Sequence, residues 1–246
     1  LGSDGDFDDE VGRTGTGLVL ALAVIAALGL EVLGVAEVDQ RVEAGDGFEH
    51  NIAALAAVAA VGRDRHVPLM LDCTFNTPWL LKPIELGANI IIHSLTKWMG
   101  GHGVAIGGAV VDGGNFDWGK DDRFPTIAGP HYAMNDINFF EEFGPAAFTA
   151  KFRAEGMYNF GPSMSPTNAF HILQGLETLP LRMQRHMDNT AAMLDFLTGH
   201  DAVAWVKHPT LANHPSHELV KRMLPRGAGS IIVFGLKGLF FFGQNY

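Results

Sequence analysis

Cysteine is almost missing from this chain of 246 residues, which has Cys73 alone. A single thiol excludes an internal disulfide framework and suits a reducing compartment. Basic residues are scarce as well: 17 Lys and Arg stand against 27 Asp and Glu, a formal net charge of −10. No basic stripe offsets that charge, which argues against a nucleic-acid partner. Long apolar runs are also lacking. The one stretch of that kind, Gly17 to Leu30, is broken by Glu31 and falls short of the roughly 20 residues that span a bilayer. Before it stand Asp4, Asp6, Asp8, Asp9 and Glu10, acidic where a secretory leader carries positive charge. These absences lead to the expectation of a cytoplasmic protein with no membrane partner. What is present, 47% apolar and 18% charged residues, is the composition of a globular chain with a sizeable core.

Apolar periodicity divides the chain into alternating elements. Leu18 to Leu28 reads as a buried helix and Glu31 to Val35 as a strand. Gln40 to Phe48 reads as a loop, and Glu49 to Val61 as an alanine-rich helix ending at Gly62. Pro68 to Leu71 is a strand that delivers Asp72 at its end, and Pro78 to Leu86 a short helix stopped by Gly87. Asn89 to His93 and Ala105 to Val111 are further strands. Strands this apolar, alternating with helices, predict an α/β fold with a mostly parallel sheet flanked by helices. Gly113 to Met134 reads as an irregular surface excursion and Phe139 to Asn159 as helical. Ser165 and Pro166 make a helix start, as N-cap and first-turn residue, leading into Thr167 to Thr178. A helix over Pro180 to Leu197 comes next, with Met183, Met187 and Leu194 on one side, then strands at Ala202 to Lys207 and Ser230 to Phe234. The apolar tail from Leu239 to Tyr246 reads as an interruption.

Two strands joined by a crossover helix run parallel, so Pro68–Leu71 and Asn89–His93 must end at the same edge of the sheet. Ligands of open α/β sheets bind at that edge. Asp72 and the turn from Ser94 to Lys97 therefore meet in one crevice, where Gly100, Gly101 and Gly103 let a ligand approach the backbone. One lysine, two hydroxyls and one aspartate are what a pyridoxal-phosphate site requires. The lysine can attach the cofactor, the hydroxyls can hold its phosphate, and the aspartate can keep its ring nitrogen protonated.

From about residue 66 to 238 the chain resembles the Cys/Met-metabolism family of pyridoxal-phosphate enzymes, most closely its O-acetylhomoserine sulfhydrylase branch. The matching blocks are VPLMLDCTFNTP, HSLTKWMGGHG, GGNFDW, EFGPAAF, SPTNAF, LQGLETLPLRMQRH and AVAWVKHP, in family order. The resemblance implies a partial large domain of the aspartate-aminotransferase type, fold type I. It implies that Lys97 is the catalytic residue and carries the cofactor covalently. Asp72, Thr74, Ser94 and Thr96 would join Lys97 in binding pyridoxal 5'-phosphate, Asp72 at the ring nitrogen and Ser94 with Thr96 at the phosphate. The implied reaction is γ-replacement on O-acetylhomoserine by a sulfur nucleophile, in sulfur amino-acid biosynthesis, with a small amino-acid substrate and a homo-oligomeric assembly. No metal is expected.

The chain departs from the family at Cys73, where asparagine is usual, and at Asn76, where a small residue is usual. Family members also take an aromatic ring and a Tyr/Arg pair from the region before the aspartate strand, and an arginine for the substrate carboxylate from a C-terminal domain. Here the tyrosines are Tyr132, Tyr158 and Tyr246, and no arginine stands after Arg226. Impaired cofactor retention and turnover are expected from this. Residues 4 to 68 resemble, more weakly, the opening of nucleoside hydrolases, through the Asp4–Asp9 acidic cluster and ALAVIAALGLEVLGV. The expected division is a segment 1–65 and an incomplete transferase-like domain 66–246. The other readings are a calcium-dependent nucleoside hydrolase and a non-catalytic, degenerate α/β domain. His93 and His102 lack a third ligand at useful spacing, Cys73 reads as packing, and Arg182, Arg185 and His186 read as a solvated helix face.

Overall fold

The computed structural model describes residues 47–238, with side chains from residue 55 onward. The expected helix at Leu18–Leu28, the strand at Glu31–Val35, the acidic cluster and the apolar tail lie outside the described residues.

Helix α1 (Gly47–Arg65) comes first and runs past Gly62, where the sequence predicts its end. Its stop is a Schellman closure. Val67 N–H donates to the Gly62 carbonyl and His66 N–H to that of Arg63, with His66 in the left-handed region at φ 53°. Gly62 serves this closure by lacking a side chain, since a Cβ there would lie 2.8 Å from the Val67 carbonyl oxygen.

Strand β1 (Met70–Asp72) pairs in parallel with β2 (Ile90–Ser94), and Asp72 faces Ile92 in the register. Between them the predicted helix is broken into α2 (Thr77–Leu80) and a 3-10 turn at Pro83–Leu86, closed by Gly87 at φ 100°. Pro83 is the cause, because a proline in a helix interior removes a hydrogen bond and clashes with the preceding turn.

The sheet's third strand, β3 (Gly108–Asp112), runs antiparallel to β2, with Ile92 opposite Val110. The parallel expectation therefore holds for β1 and β2 but not for β3. The intervening residues, 95–107, form a turn and an extended return with no crossover helix, so the chain re-enters the sheet from the edge it left. Both faces of the sheet are covered, as expected. Ile91 packs with Leu55, Cys73, Leu81 and Val220, while its neighbour Ile90 packs with Trp118, Ile127, Phe139 and Phe148. Alternation along one strand thus feeds two cores.

The segment read as a surface excursion is the wall of the second core. Trp118 is 1% exposed, stacked on Phe148 and edge-on to Phe116 and Phe124. Short helical turns at Phe139–Phe143 and Ala147–Lys151 replace one long helix, interrupted at Gly144 and Pro145. Helix α3 (Pro166–Glu177) begins as the sequence predicts, with the Ser165 hydroxyl accepting from Asn168 N–H at 3.1 Å. Helix α4 (Leu179–Thr198) buries Met183, Met187 and Leu194. Strand β4 (Val203–Lys207) and strand β5 (Val233–Leu236) form a separate antiparallel pair, joined through helix α5 (His217–Met223), whose Val220 enters the first core.

Candidate active site

Strands β1 and β2 run out at one edge, and there the chain changes from apolar to reactive. Asp72 is the last residue of β1 and is exposed; β2 ends at Ser94, three residues before the exposed Lys97. The two termini are locked together by Thr74. Its hydroxyl accepts from Ser94 N–H at 2.8 Å, while Cys73 N–H donates to the Ile92 carbonyl at 2.9 Å. Thr74 N–H donates to Asp72 Oδ1 at 2.9 Å, fixing one carboxylate oxygen and leaving the other without a hydrogen-bond partner among the described residues.

Lys97 stands inside a helical turn, Leu95–Met99, but with φ −91° and ψ −126°, outside helical geometry. Among the described residues its ammonium has no ion pair. Thr96 is fixed differently: its hydroxyl accepts from Gly107 N–H at 3.1 Å and lies 3.3 Å from the Gly107 carbonyl oxygen. Thr96 thus closes the loop between the lysine turn and β3. Among the described residues Ser94 Oγ is the hydroxyl without such an internal bond, its backbone N–H being the group that Thr74 holds.

Next to Ser94 stands His93, which in the sequence is weighed only as a metal ligand. It is 6% exposed, and among the described residues its Nδ1 has no hydrogen-bond partner. Burial pushes its pKa below the ordinary value, against the opposing pull of the Asp72 charge and a hydrogen bond with the Cys73 backbone. Burial thus favours the neutral form of an imidazole that lies within reach of the Asp72 charge. The signal that could have found it is the strand's own alternation, which turns position 93 inward beside Ser94. Cys73 is buried in the first core, and its thiol is pushed up to about 12, by burial first and then by the Asp72 charge. It is a packing residue there, as the sequence suggests.

Arg182 departs from the expectation of a solvated face. Its guanidinium donates to the carbonyls of Trp98 at 2.7 Å, Met99 at 3.2 Å and Gly175 at 2.7 Å. Arg185, three residues on, is exposed as expected. One arginine of the pair therefore turns inward onto the lysine turn, where unbonded carbonyls await a donor.

Among the described residues, a carboxylate with one unbonded oxygen, an unpaired primary amine and an unbonded hydroxyl thus stand at the end of a parallel strand pair in an α/β fold. The chain belongs to the Cys/Met metabolism PLP-dependent enzyme family, whose sequence pattern matches residues 42–244. A homocysteine synthase of Schizosaccharomyces pombe is 43% identical over 191 residues, covering 77% of this chain and 44% of that protein. An O-acetyl-L-homoserine sulfhydrylase of Leptospira meyeri is 41% identical over 193 residues, covering 75% and 43%. Among solved structures, an O-acetylhomoserine (thiol)-lyase of Campylobacter jejuni carrying a pyridoxyl-lysine monophosphate superposes with TM-score 0.70 at 28% identity, covering 74% of this chain and 46% of that one. Cystathionine gamma synthase of Xanthomonas oryzae pv. oryzae gives TM-score 0.56 at 31% identity, covering 75% and 39%. The chain spans less than half the length of each of these relatives. Its fold is that of a part of a fold type I enzyme, and the family's cofactor is pyridoxal phosphate. The family match begins at residue 42, so the nucleoside-hydrolase resemblance concerns mainly residues before both that match and the described structure. Among the described residues, no helix is long and apolar enough to cross a membrane.

Proposed function

We propose that this chain supplies the cofactor-holding part of a sulfhydrylase that exchanges the γ-acyloxy group of an O-acylated homoserine for sulfur. The observation that carries the proposal is the placement of Asp72 and the Lys97 turn at one edge of the parallel β1–β2 pair. The identity to sulfhydrylases and homocysteine synthases supports the reaction class.

The residues fit the cofactor's three recognition points. Asp72, with Oδ1 held by Thr74 N–H, directs a free carboxylate oxygen toward solvent, where a protonated ring nitrogen can pair with it. Ser94 Oγ and the glycines of the turn provide a hydroxyl and open backbone for a phosphate. Gly103 in particular has nothing within 4 Å of where a Cβ would stand. Thr96 supports that phosphate by fixing the loop, its hydroxyl being bonded to Gly107. Thr74 acts in the same set through the backbone it ties to Asp72 and Ser94.

When bound, pyridoxal phosphate supplies an electron sink that stabilises negative charge at carbons next to an attached amine. Lys97 Nζ would hold the cofactor and, when free, would be placed to take and return protons. The Asp72 carboxylate would favour the charged form of the ring nitrogen. A small amino acid is the substrate, and a homo-oligomer in which a neighbouring copy completes the site is the assembly this reading favours.

Mixing the protein with pyridoxal phosphate and recording its visible absorption tests the reading. A lysine-dependent band that Lys97→Ala abolishes and Asp72→Ala weakens is expected. Conversion of O-acetylhomoserine and sulfide to homocysteine, lost in the same variants, tests the reaction. Absence of the band in the unaltered chain would leave a non-catalytic α/β domain, and calcium-dependent release of ribose from nucleosides would favour the hydrolase reading instead.

A further inference from the structure

A helical turn that stops after five residues leaves its last carbonyls without partners. In the Lys97 turn two of these, on Trp98 and Met99, point at another part of the chain. Arg182, in the first turn of α4, meets both, and its third contact is the Gly175 carbonyl on α3. Its Nε donates to the Thr178 hydroxyl at 3.0 Å, and that hydroxyl lies 3.2 Å from the same Gly175 carbonyl oxygen. The planar guanidinium is thus held along two sides before it reaches the turn, a geometry that lysine cannot reproduce.

The fit is close enough to restrict side chains on both partners. A Cβ on Gly101, which has φ +73°, would lie 2.4 Å from the guanidinium carbon. A Cβ on Gly175 would lie 2.1 Å from the Gly100 carbonyl oxygen. One helical turn beyond Arg182, His186 meets the Trp98 ring edge-on at 4.7 Å. The backbone from Trp98 to Gly101 is therefore pressed between Gly175 of α3 and Arg182 of α4. Lys97, whose backbone angles lie outside the helical range, is the residue directly before this gripped segment.

We propose that Arg182 is a positioning residue for Lys97, holding the turn so that Nζ keeps one approach to the cofactor. This rests on the cofactor role given to Lys97 above. Gly100 N–H donates to the Leu95 carbonyl at 2.9 Å and Gly101 N–H to the Lys97 carbonyl at 2.8 Å, so these two amides report directly on the turn.

Amide hydrogen exchange of the unloaded chain, compared with Arg182→Met and Arg182→Lys, gives the first readout. In the methionine variant the amides of 98–101 should exchange about tenfold faster or more, while those of β2 and of 190–198 in α4 keep their rates. The lysine variant, which can satisfy one carbonyl at a time, should fall between. After mixing with pyridoxal phosphate, the methionine variant should still form the Lys97-dependent band. That band should titrate at a different pH and be lost on dialysis about tenfold faster, with partial rescue by lysine. Unchanged exchange at 98–101, or equal acceleration across β2 and all of α4, overturns the proposal. A wild-type chain with no Lys97-dependent band removes the cofactor reading, and the exchange comparison alone then decides whether Arg182 holds the turn.

Discussion

Two regions of this molecule hold an amine in place by opposite means. At the sheet edge Lys97 is exposed and unpaired among the described residues, and the protein fixes its backbone instead. In the second core Lys151 is 2% exposed, and the protein fixes its charge. Glu155 bonds to it at 2.5 Å, His131 also bonds to Glu155, and the ammonium lies 5.8 Å from the Phe139 ring centroid. On the role proposed for Lys97, a reacting amine must stay free, so its precision comes from the chain beneath it. A buried amine without a partner carries a desolvation cost of several kcal/mol, so its partners are obligatory.

The sharpest way to break this contrast is to remove one partner in the core. Glu155→Ala leaves Lys151 buried and uncompensated, and should lower unfolding free energy by about 3–5 kcal/mol. Lys151→Met combined with Glu155→Leu should recover most of that loss, because no buried charge remains. Denaturant unfolding of the single and double variants measures both. A single variant within about 1 kcal/mol of the parent would mean the cluster is hydrated and the contrast with Lys97 is lost.

Titration separates the two regions by a smaller effect. Burial works to raise the Glu155 carboxyl, but hydrogen bonds from Lys151 and His131, with their charges, outweigh it and hold the group below the usual range. A carboxylate depressed in the folded state stabilises fully above its unfolded pKa of about 4.3 and loses that contribution as pH falls through the folded value. His93 and His208 are depressed chiefly by burial. Their contribution is complete above about 6.5 and is lost as pH falls toward the folded values. Stability should therefore decline in two stages on acidification, the first from the two histidines and the second from Glu155 together with the partly exposed Asp121, which Arg123 holds below its usual range. Thermal unfolding between pH 7 and 3 checks this, and in Glu155→Gln the second stage should shrink while the first persists.

The same division separates the features that the sequence discloses from those it hides. The strands around Asp72 and Lys97 are legible because short apolar runs bounded by prolines and glycines have few alternatives, and the parallel pairing of β1 and β2 comes from the connection between them. The direction of β3 is hidden, because its apolar run is the same whichever way it lies. Pro83 signals the break in the predicted helix, though the apolar residues around it mask that signal. Arg182 is hidden for a different reason. On the helix it resembles its exposed neighbour Arg185, and the carbonyls it binds belong to a turn 84 and 83 residues earlier. Sequence spacing within one helix carries no trace of such a contact.

A third test acts on the strand lock. Thr74→Val keeps the shape of the side chain but removes the acceptor for Ser94 N–H, leaving a half-buried donor unsatisfied. The expected loss is about 1–2 kcal/mol of stability, smaller than for Glu155→Ala because no charge is stranded. Cofactor retention should fall as well, because losing the tie to Ser94 loosens the residue whose backbone N–H, kept in valine, holds Asp72. Equal stability and retention in the valine variant would show that the edge is held by the sheet register alone.

The smallest effect belongs to Cys73, whose position beside Asp72 makes it look like part of the reactive edge. Its side chain turns the other way, into the core with Leu55, Leu81 and Ile91. With its thiol pushed up to about 12, it carries almost no thiolate at pH 8. A thiol reagent should therefore modify the native chain slowly, at a rate set by unfolding, and at once in denaturant. Cys73→Ala should cost about 1 kcal/mol through lost packing and leave the lysine-dependent band intact. Rapid native modification, or a band lost with the thiol, would place Cys73 on the reactive side of the sheet edge and remove the separation between anchored backbone and buried core on which the comparison with Lys97 rests.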